Sequence, residues 1–445
     1  MKLGRQWEER LKIWDEAFLP NIYRPLGTVE LEGFTTREQL CPEQAAKRER
    51  QAFPRGRTWG AKWEYGWFHA RLTLPRAAEG ERILLHLAPG PEMLVYVDGR
   101  EAGSIDAKHD FVELTPRAQA GQVFEIWAEV YAGHGPRLEG GGIFTREAVP
   151  VPEPPENQCS VGESHFGIQD PVYFQIYADY HTLYELWKAL PESSLRGMKI
   201  GRALQEFTFE ADFEAQEPAR RESVLRAGSL LKPLLEKRNS ETAVEYTVFG
   251  QSHLDLAWLW PWEETKRKCV RTYANQLALM DRYPEYQFFL CEPPILENLK
   301  EYYPGLYRRV KERVETGQFL PEGAVYIESD TNLAGGESLI RQFVLGKRGF
   351  RQELNADSRM AWMPDTFGFT GALPQIMAGC GVSYFATQKL LRADPECQQF
   401  PYNIFWWEGI DGTRILSHIY KKNNAVFAPG ALIERWEKDR NQRQD

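Results

Sequence analysis

The chain has 445 residues, 42% hydrophobic and 26% charged, an ordinary globular make-up that excludes a disordered or fibrous protein. At about 100–200 residues per domain, that length implies roughly two to four domains. Its 54 basic and 63 acidic residues leave a net charge of −9, which argues against a nucleic-acid partner, and no run approaches the ~20 apolar residues of a membrane-spanning helix.

The first residues are amphipathic and charged, without the apolar core of a secretory signal, so the expected location is cytoplasmic. The six scattered cysteines, with no CxxC, are expected to be reduced thiols. Residues 1–58 read as a helical lead-in, with periodicity through Trp7, Leu11, Trp14 and Phe18. From 59 to 148 the period becomes two. Phe68, Ala70, Leu72 and Leu74 alternate with polar residues, as do Phe124, Ile126, Ala128 and Val130. Asp98-Gly99 directly follows the apolar run Met93–Val97, a two-residue hairpin signal. These strands predict a β-sandwich.

Residues 149–243 begin with the stiff VPVPEPPE (149–156) and continue as a helical connector. From 244 to 445 strand-like and helical runs alternate. Strands are expected at Val244–Gly250, Gln287–Cys291, Arg359–Met363 and Val382–Ala386. Helices are expected at Glu264–Arg282, Pro304–Glu315, Glu337–Leu354 and Ala372–Gly379. This pattern predicts an α/β domain with a parallel sheet, whose ligand sites sit at the carboxyl ends of strands.

The candidate site residues fall at such ends. In GQSHLDLAWLWPWEET (250–265), His253 and Asp255 share a face of an extended chain, and imidazole with carboxylate suits a zinc-class cation. Capping of the strand and the next turn is the plainer alternative. Trp258, Trp260 and Trp262 follow, either as core residues or as the wall of a ring-binding site. Asp365, at the end of a strand through Trp362, reads either as a helix N-cap or as a metal-bound carboxylate that attacks substrate. Tyr326, Glu328 and Asp330 share a face if that run is extended, either to hold sugar hydroxyls or to face solvent.

Together, GQSHLDLAWLWPWEET, ESDTN, WMPDTFGF, LPQIMAGCG and FWWEGIDGTRIL resemble the α-mannosidases of glycoside hydrolase family 38, in the branch of its cytosolic, vacuolar and bacterial members. The resemblance runs from about residue 244 to the end, and the residues before it resemble that branch's leader. It implies a seven-stranded-barrel-like α/β catalytic domain and retaining, metal-dependent hydrolysis of terminal α-linked mannose from oligosaccharides. The metal would be zinc, or alternatively cobalt. It assigns His253, Asp255 and Asp365 as metal ligands and Asp365 also as nucleophile. Trp258 and Phe367 would line the mannose subsite, Lys389 would stand near it, and Glu328 and Asp330 would support ligands or touch substrate. Mannose carries cis 2- and 3-hydroxyls, which one cation can chelate.

In the family, the acid/base carboxylate and a fourth, histidine ligand lie further along than residue 445. The catalytic domain is therefore expected to be truncated at its carboxyl end, with a downstream polypeptide as one partner and a homo-oligomer as another possibility. Negligible turnover is expected from this chain alone, since acid/base catalysis contributes ~10²–10⁴ in rate. His418 is expected to pack in a strand beside the Asp411-Gly412 hairpin and not to ligate. The competing readings are a glycan-binding module without catalysis and another metal-dependent carbohydrate hydrolase, such as a polysaccharide deacetylase.

Overall fold

The computed structural model describes residues 4–135, 155–241, 243–392, 402–420 and 427–439. Helix Arg5–Ala17 packs with Pro171–Ala189 and Leu195–Glu210, and Ala219–Leu235 packs on both of those. Leu11, Phe18, Tyr180, Leu204, Phe207 and Leu231 form one core, so lead-in and connector are one helical bundle. Asp170 starts its first connector helix, accepting the N–H groups of Val172 and Tyr173 ahead of the helical pattern. Most of VPVPEPPE, residues 149–154, lies outside the described residues.

Two sheets make the sandwich. One runs in the order Gln51–Ala52, Glu32–Thr36, Tyr65–Thr73, Val123–Tyr131, Glu92–Val97, Arg100–Ile105. The other runs Tyr23–Thr28, His165–Gln169, Ile83–His86, Val112–Thr115. Strands therefore come from residues 23–52, inside the expected helical lead-in, and from 165–169, as well as from 59–148. Phe68, Ala70 and Leu72 are buried while Arg71 and Thr73 are exposed, as the alternation predicts. Asp98 and Gly99 turn the expected hairpin with φ of 50° and 77°, the left-handed pair that a tight β-turn needs.

Strand Val123–Tyr131 breaks the period-two burial rule. Phe124, Ile126, Ala128 and Val130 face the core between the sheets. On its other face, Trp127 and Glu129 are buried too, with Trp67 and Tyr96 of the neighbouring strands. The cause is helix Trp262–Arg282, whose Cys269, Val270 and Tyr273 share one core with Trp67, Tyr96 and Trp127. Along that helix, Glu264, Arg267, Lys268, Arg271 and Asn275 recur at three- and four-residue steps, which makes one stripe. The stripe bonds to the sandwich throughout. Glu264 accepts the Tyr65 hydroxyl, Arg267 reaches Glu129 at 2.8 Å, and Lys268 and Arg271 reach Glu92 at 3.2 and 2.9 Å. Asn275 Oδ1 accepts the Ser104 N–H at 2.7 Å.

The α/β part is built on mainly parallel pairing. Phe288–Leu290 pairs with Phe319–Pro321, Gly323 bridges to Ala361, and Met360–Trp362, Tyr384–Thr387 and Arg414–Ile419 follow in parallel. Ile404–Glu408 closes the row antiparallel, across the Asp411-Gly412 turn. The expected helices appear at Trp262–Arg282, Pro304–Glu315, Gly336–Leu354 and Leu373–Gly379. Val244–Gly250 is not the predicted strand. Only Gly250 pairs, with Phe288, and Val244 and Val248 lack a ladder partner and are exposed. An apolar run becomes a strand only where a neighbour takes its backbone groups. Among the described residues no helix is long and apolar enough to cross a membrane. Cys41, Cys159, Cys269, Cys291 and Cys380 are free thiols, and Cys397 lies outside the described residues.

Candidate metal centre

Successive strand ends bring the site together. His253 and Asp255 follow Gly250, Glu292 follows Phe288–Leu290, and Glu328 lies beyond Phe319–Pro321. Asp365 follows Met360–Trp362, and Lys389 follows Tyr384–Thr387. Beside these ends Phe249 stacks on Phe289 at 4.0 Å, Phe289 meets Trp362 edge-on at 5.4 Å, and Trp362 stacks on Tyr420 at 4.8 Å. These four rings stand beside the site without lining the pocket.

The segment after Gly250 is extended enough to separate two cavities. Ser252 lines a cavity of about 320 Å³ between the sandwich and helix Trp262–Arg282. His253 and Asp255 line a different pocket of about 280 Å³, with Glu292, Glu328, Asp330, Asp365 and Phe367. His253, Asp255 and Asp365 each offer one ligand atom, and these atoms lie within 4.8 Å of one another. His253 Nε2 is 3.4 Å from Asp255 Oδ1 and 3.8 Å from Asp365 Oδ2.

Burial by itself would lower the pKa of His253. The carboxylates of Asp255 and Glu328 beside it outweigh that and raise it to about 10. Lys389 Nζ pairs with Asp365 Oδ1 at 2.7 Å and lies 4.2 Å over the Phe367 ring. One imidazole and one ammonium thus face Asp255, Glu328 and Asp365, with a further carboxyl at Glu292. Glu292 is raised to about 7, first by burial and then by the charge of Glu328. Imidazole and carboxylate donors converging under surplus negative charge fit a divalent cation of the zinc class.

Not every predicted residue joins the site. Trp258 is 53% exposed, edge-on to Trp260, and outside the pocket wall. Trp260 donates its indole N–H to Thr265, and Trp262 opens the following helix. Tyr326, Glu328 and Asp330 do not share one extended face. Positive φ at Gly323 (137°) and Ala324 (58°) turns the chain out of the strand. Tyr326 then donates to Glu297 at 2.8 Å, away from the pocket. Asp330 caps its own turn, accepting the N–H of Asn332 at 3.1 Å, while still edging the pocket. His418 is exposed on Arg414–Ile419 and outside the ligand trio. Sequence reasoning missed Glu292. The signal was available, since a carboxyl stands directly after a parallel strand and before Pro293-Pro294.

Residues 243–445 match the glycosyl hydrolases family 38 N-terminal domain. The match is to that family's amino-terminal domain and extends over 203 of the 445 residues. Residues 25–141 match an alpha-mannosidase jelly roll domain, which covers most of the sandwich. Ahead of and within the family 38 region, the chain is 33% identical over 392 residues to human alpha-mannosidase 2C1, covering 87% of this chain and 36% of that protein. It is 29% identical to alpha-mannosidase G of Dictyostelium discoideum, covering 82% and 33%. It is 28% identical to the alpha-mannosidase of Saccharomyces cerevisiae, covering 81% and 33%. The chain thus spans about a third of the length of the curated relatives it matches. Among solved structures, an alpha-mannosidase from Enterococcus faecalis aligns at 26% identity and a TM-score of 0.37, over 44% of this chain and 22% of that one.

Proposed function

We propose that the pocket around His253 is the metal-and-nucleophile side of an α-mannosidase site, acting on terminal α-linked mannose of oligosaccharides in the cytoplasm. The observation that carries this reading is the convergence of His253, Asp255 and Asp365 in an acid-rich pocket walled by Phe367. The alpha-mannosidase relatives support it. We read the parallel sheet as the larger part of a seven-stranded-barrel-like domain, and zinc as the ion.

His253, Asp255 and Asp365 would hold the ion, which supplies Lewis-acid polarisation of sugar hydroxyls when bound. Asp365 is the nucleophile. Its carboxylate attacks the anomeric carbon while the glycosidic oxygen leaves with a proton from a general acid; a mannosyl ester forms, and water deprotonated by the same group hydrolyses it, so configuration is retained. Lys389 orients that carboxylate by pairing with Oδ1 at 2.7 Å. Phe367 offers an exposed ring face at the pocket wall, which suits the apolar face of a hexose.

Metal-dependent sugar binding tests this reading without requiring turnover. Calorimetry on the zinc-loaded chain is expected to show methyl α-mannoside binding that vanishes on chelation and in Asp365→Ala. Methyl α-glucoside, which lacks the cis diol, is expected to bind far more weakly. Equal binding of both sugars, or mannoside binding indifferent to metal, would overturn the reading.

A further inference from the structure

We propose that Glu328 is a positioning residue that sets two metal ligands at once, and that it does not touch the sugar. The inference rests on the metal reading of the trio. Glu328 Oε2 lies 3.2 Å from His253 Nδ1, while the opposite ring nitrogen faces Asp255 and Asp365. Nδ1 faces that buried oxygen at ion-pair distance, without hydrogen-bond geometry, which leaves Nε2 as the nitrogen turned to the other ligands. Glu328 Oε1 accepts the backbone N–H groups of Asp365 and Thr366, the latter at 2.6 Å, and the Thr366 hydroxyl at 3.1 Å. One carboxylate therefore joins the strand end bearing His253 to the strand end bearing Asp365.

The same geometry excludes a sugar contact. Oε1 already takes three donors, and Oε2 is sealed from solvent. The side chain as a whole is 9% exposed.

The segment that carries Glu328 is itself held from two sides. Glu292 Oε1 accepts the Glu328 N–H at 3.3 Å. Gln342, on helix Gly336–Leu354, takes the N–H groups of Tyr326 and Ile327. That helix comes close only because Gly346 lacks a side chain: a Cβ there would sit 2.3 Å from the Val325 carbonyl carbon. A carboxylate fixed this firmly can hold ligands in place before an ion arrives.

The test is zinc affinity of the full chain by chelator competition, with cobalt absorption as a second readout. Glu328→Gln keeps the volume and an acceptor for the Asp365 and Thr366 donors but removes the charge beside His253. It is expected to weaken zinc by about 10–100-fold and to shift the visible bands of bound cobalt. The zinc concentration needed for half-maximal methyl α-mannoside binding is expected to rise by the same factor. Nitrogen NMR of the zinc-loaded wild type, which does not depend on any variant folding, is expected to show His253 protonated at Nδ1 and coordinated at Nε2. Unchanged zinc affinity and cobalt spectrum in Glu328→Gln, coordination through Nδ1, or mannoside binding that weakens without a matching loss of zinc would each overturn the inference. A wild-type chain that binds neither ion would remove the metal reading as well, whereas equal binding by wild type and variant removes this inference alone.

Discussion

At the seam between the sandwich and helix Trp262–Arg282, the cations Arg267, Lys268 and Arg271 meet the carboxylates Glu92, Glu129 and Glu264. Around His253, the only cationic groups that the carboxyls of Asp255, Glu292, Glu328 and Asp365 meet among the described residues are the imidazole and Lys389. The first cluster is closed: each charge has a fixed partner, and Arg267 also lies 3.7 Å over the Tyr65 ring. The second is open, with surplus negative charge that another cation would neutralise. Burying unbalanced charge costs stability, so balance marks a joint and imbalance marks a binding site.

The largest expected effect breaks the closed cluster. Arg267→Ala leaves Glu129 buried and alone, and should cost about 3–5 kcal/mol in denaturant unfolding. Arg267→Met with Glu129→Leu should recover most of that. A loss of less than about 1 kcal/mol for the single change would place the pair in the class of weak surface bridges.

Next comes filling the open cluster. Zinc at one hundred times its dissociation constant should stabilise the chain by about 2.7 kcal/mol, and Asp365→Ala should abolish the gain. A third prediction concerns pH. In the metal-free chain the folded His253 pKa is raised to about 10, against ~6.5 for free imidazole. The stability it contributes is therefore full below about 6.5 and is lost as pH rises through about 10. Zinc must displace that proton, so its apparent affinity should rise about tenfold per pH unit from 7 to 9, with proton release seen in buffer-dependent calorimetric heats. A flat affinity across that range would exclude His253 as a ligand. The smallest effect on stability comes from Asp255→Asn, which removes one of the carboxylates paired with His253; it should cost the metal-free chain about 0.5 kcal/mol and also lose the zinc response.

What the sequence made legible was local or periodic. The Asp98-Gly99 hairpin, the Tyr65–Thr73 alternation and helix Pro304–Glu315 follow from turn chemistry and hydrophobic period, and each is in place. His253 and Asp255 were legible because two residues on an extended chain share a face, and Asp365 because it ends a strand. Glu292 and the true place of Glu328 were not legible, because their roles come from neighbours on other strands. The same limit explains strand Val123–Tyr131. Its second face is covered by a helix more than one hundred residues later, whose charged stripe reads alone as a solvated surface.

That covered face bears on how such chains can be recombined. The sandwich and the family 38 region are recognised as separate stretches, 25–141 and 243–445. A graft cut between them would expose Trp67, Tyr96, Trp127 and Glu129 together, strip Arg267 of Glu129, and leave Arg271 with Glu264 but not Glu92. The unit of inheritance is therefore the pair. A jelly roll from another lineage could replace this one only if it arrived with a matching set of carboxylates, or with the helix that reads them.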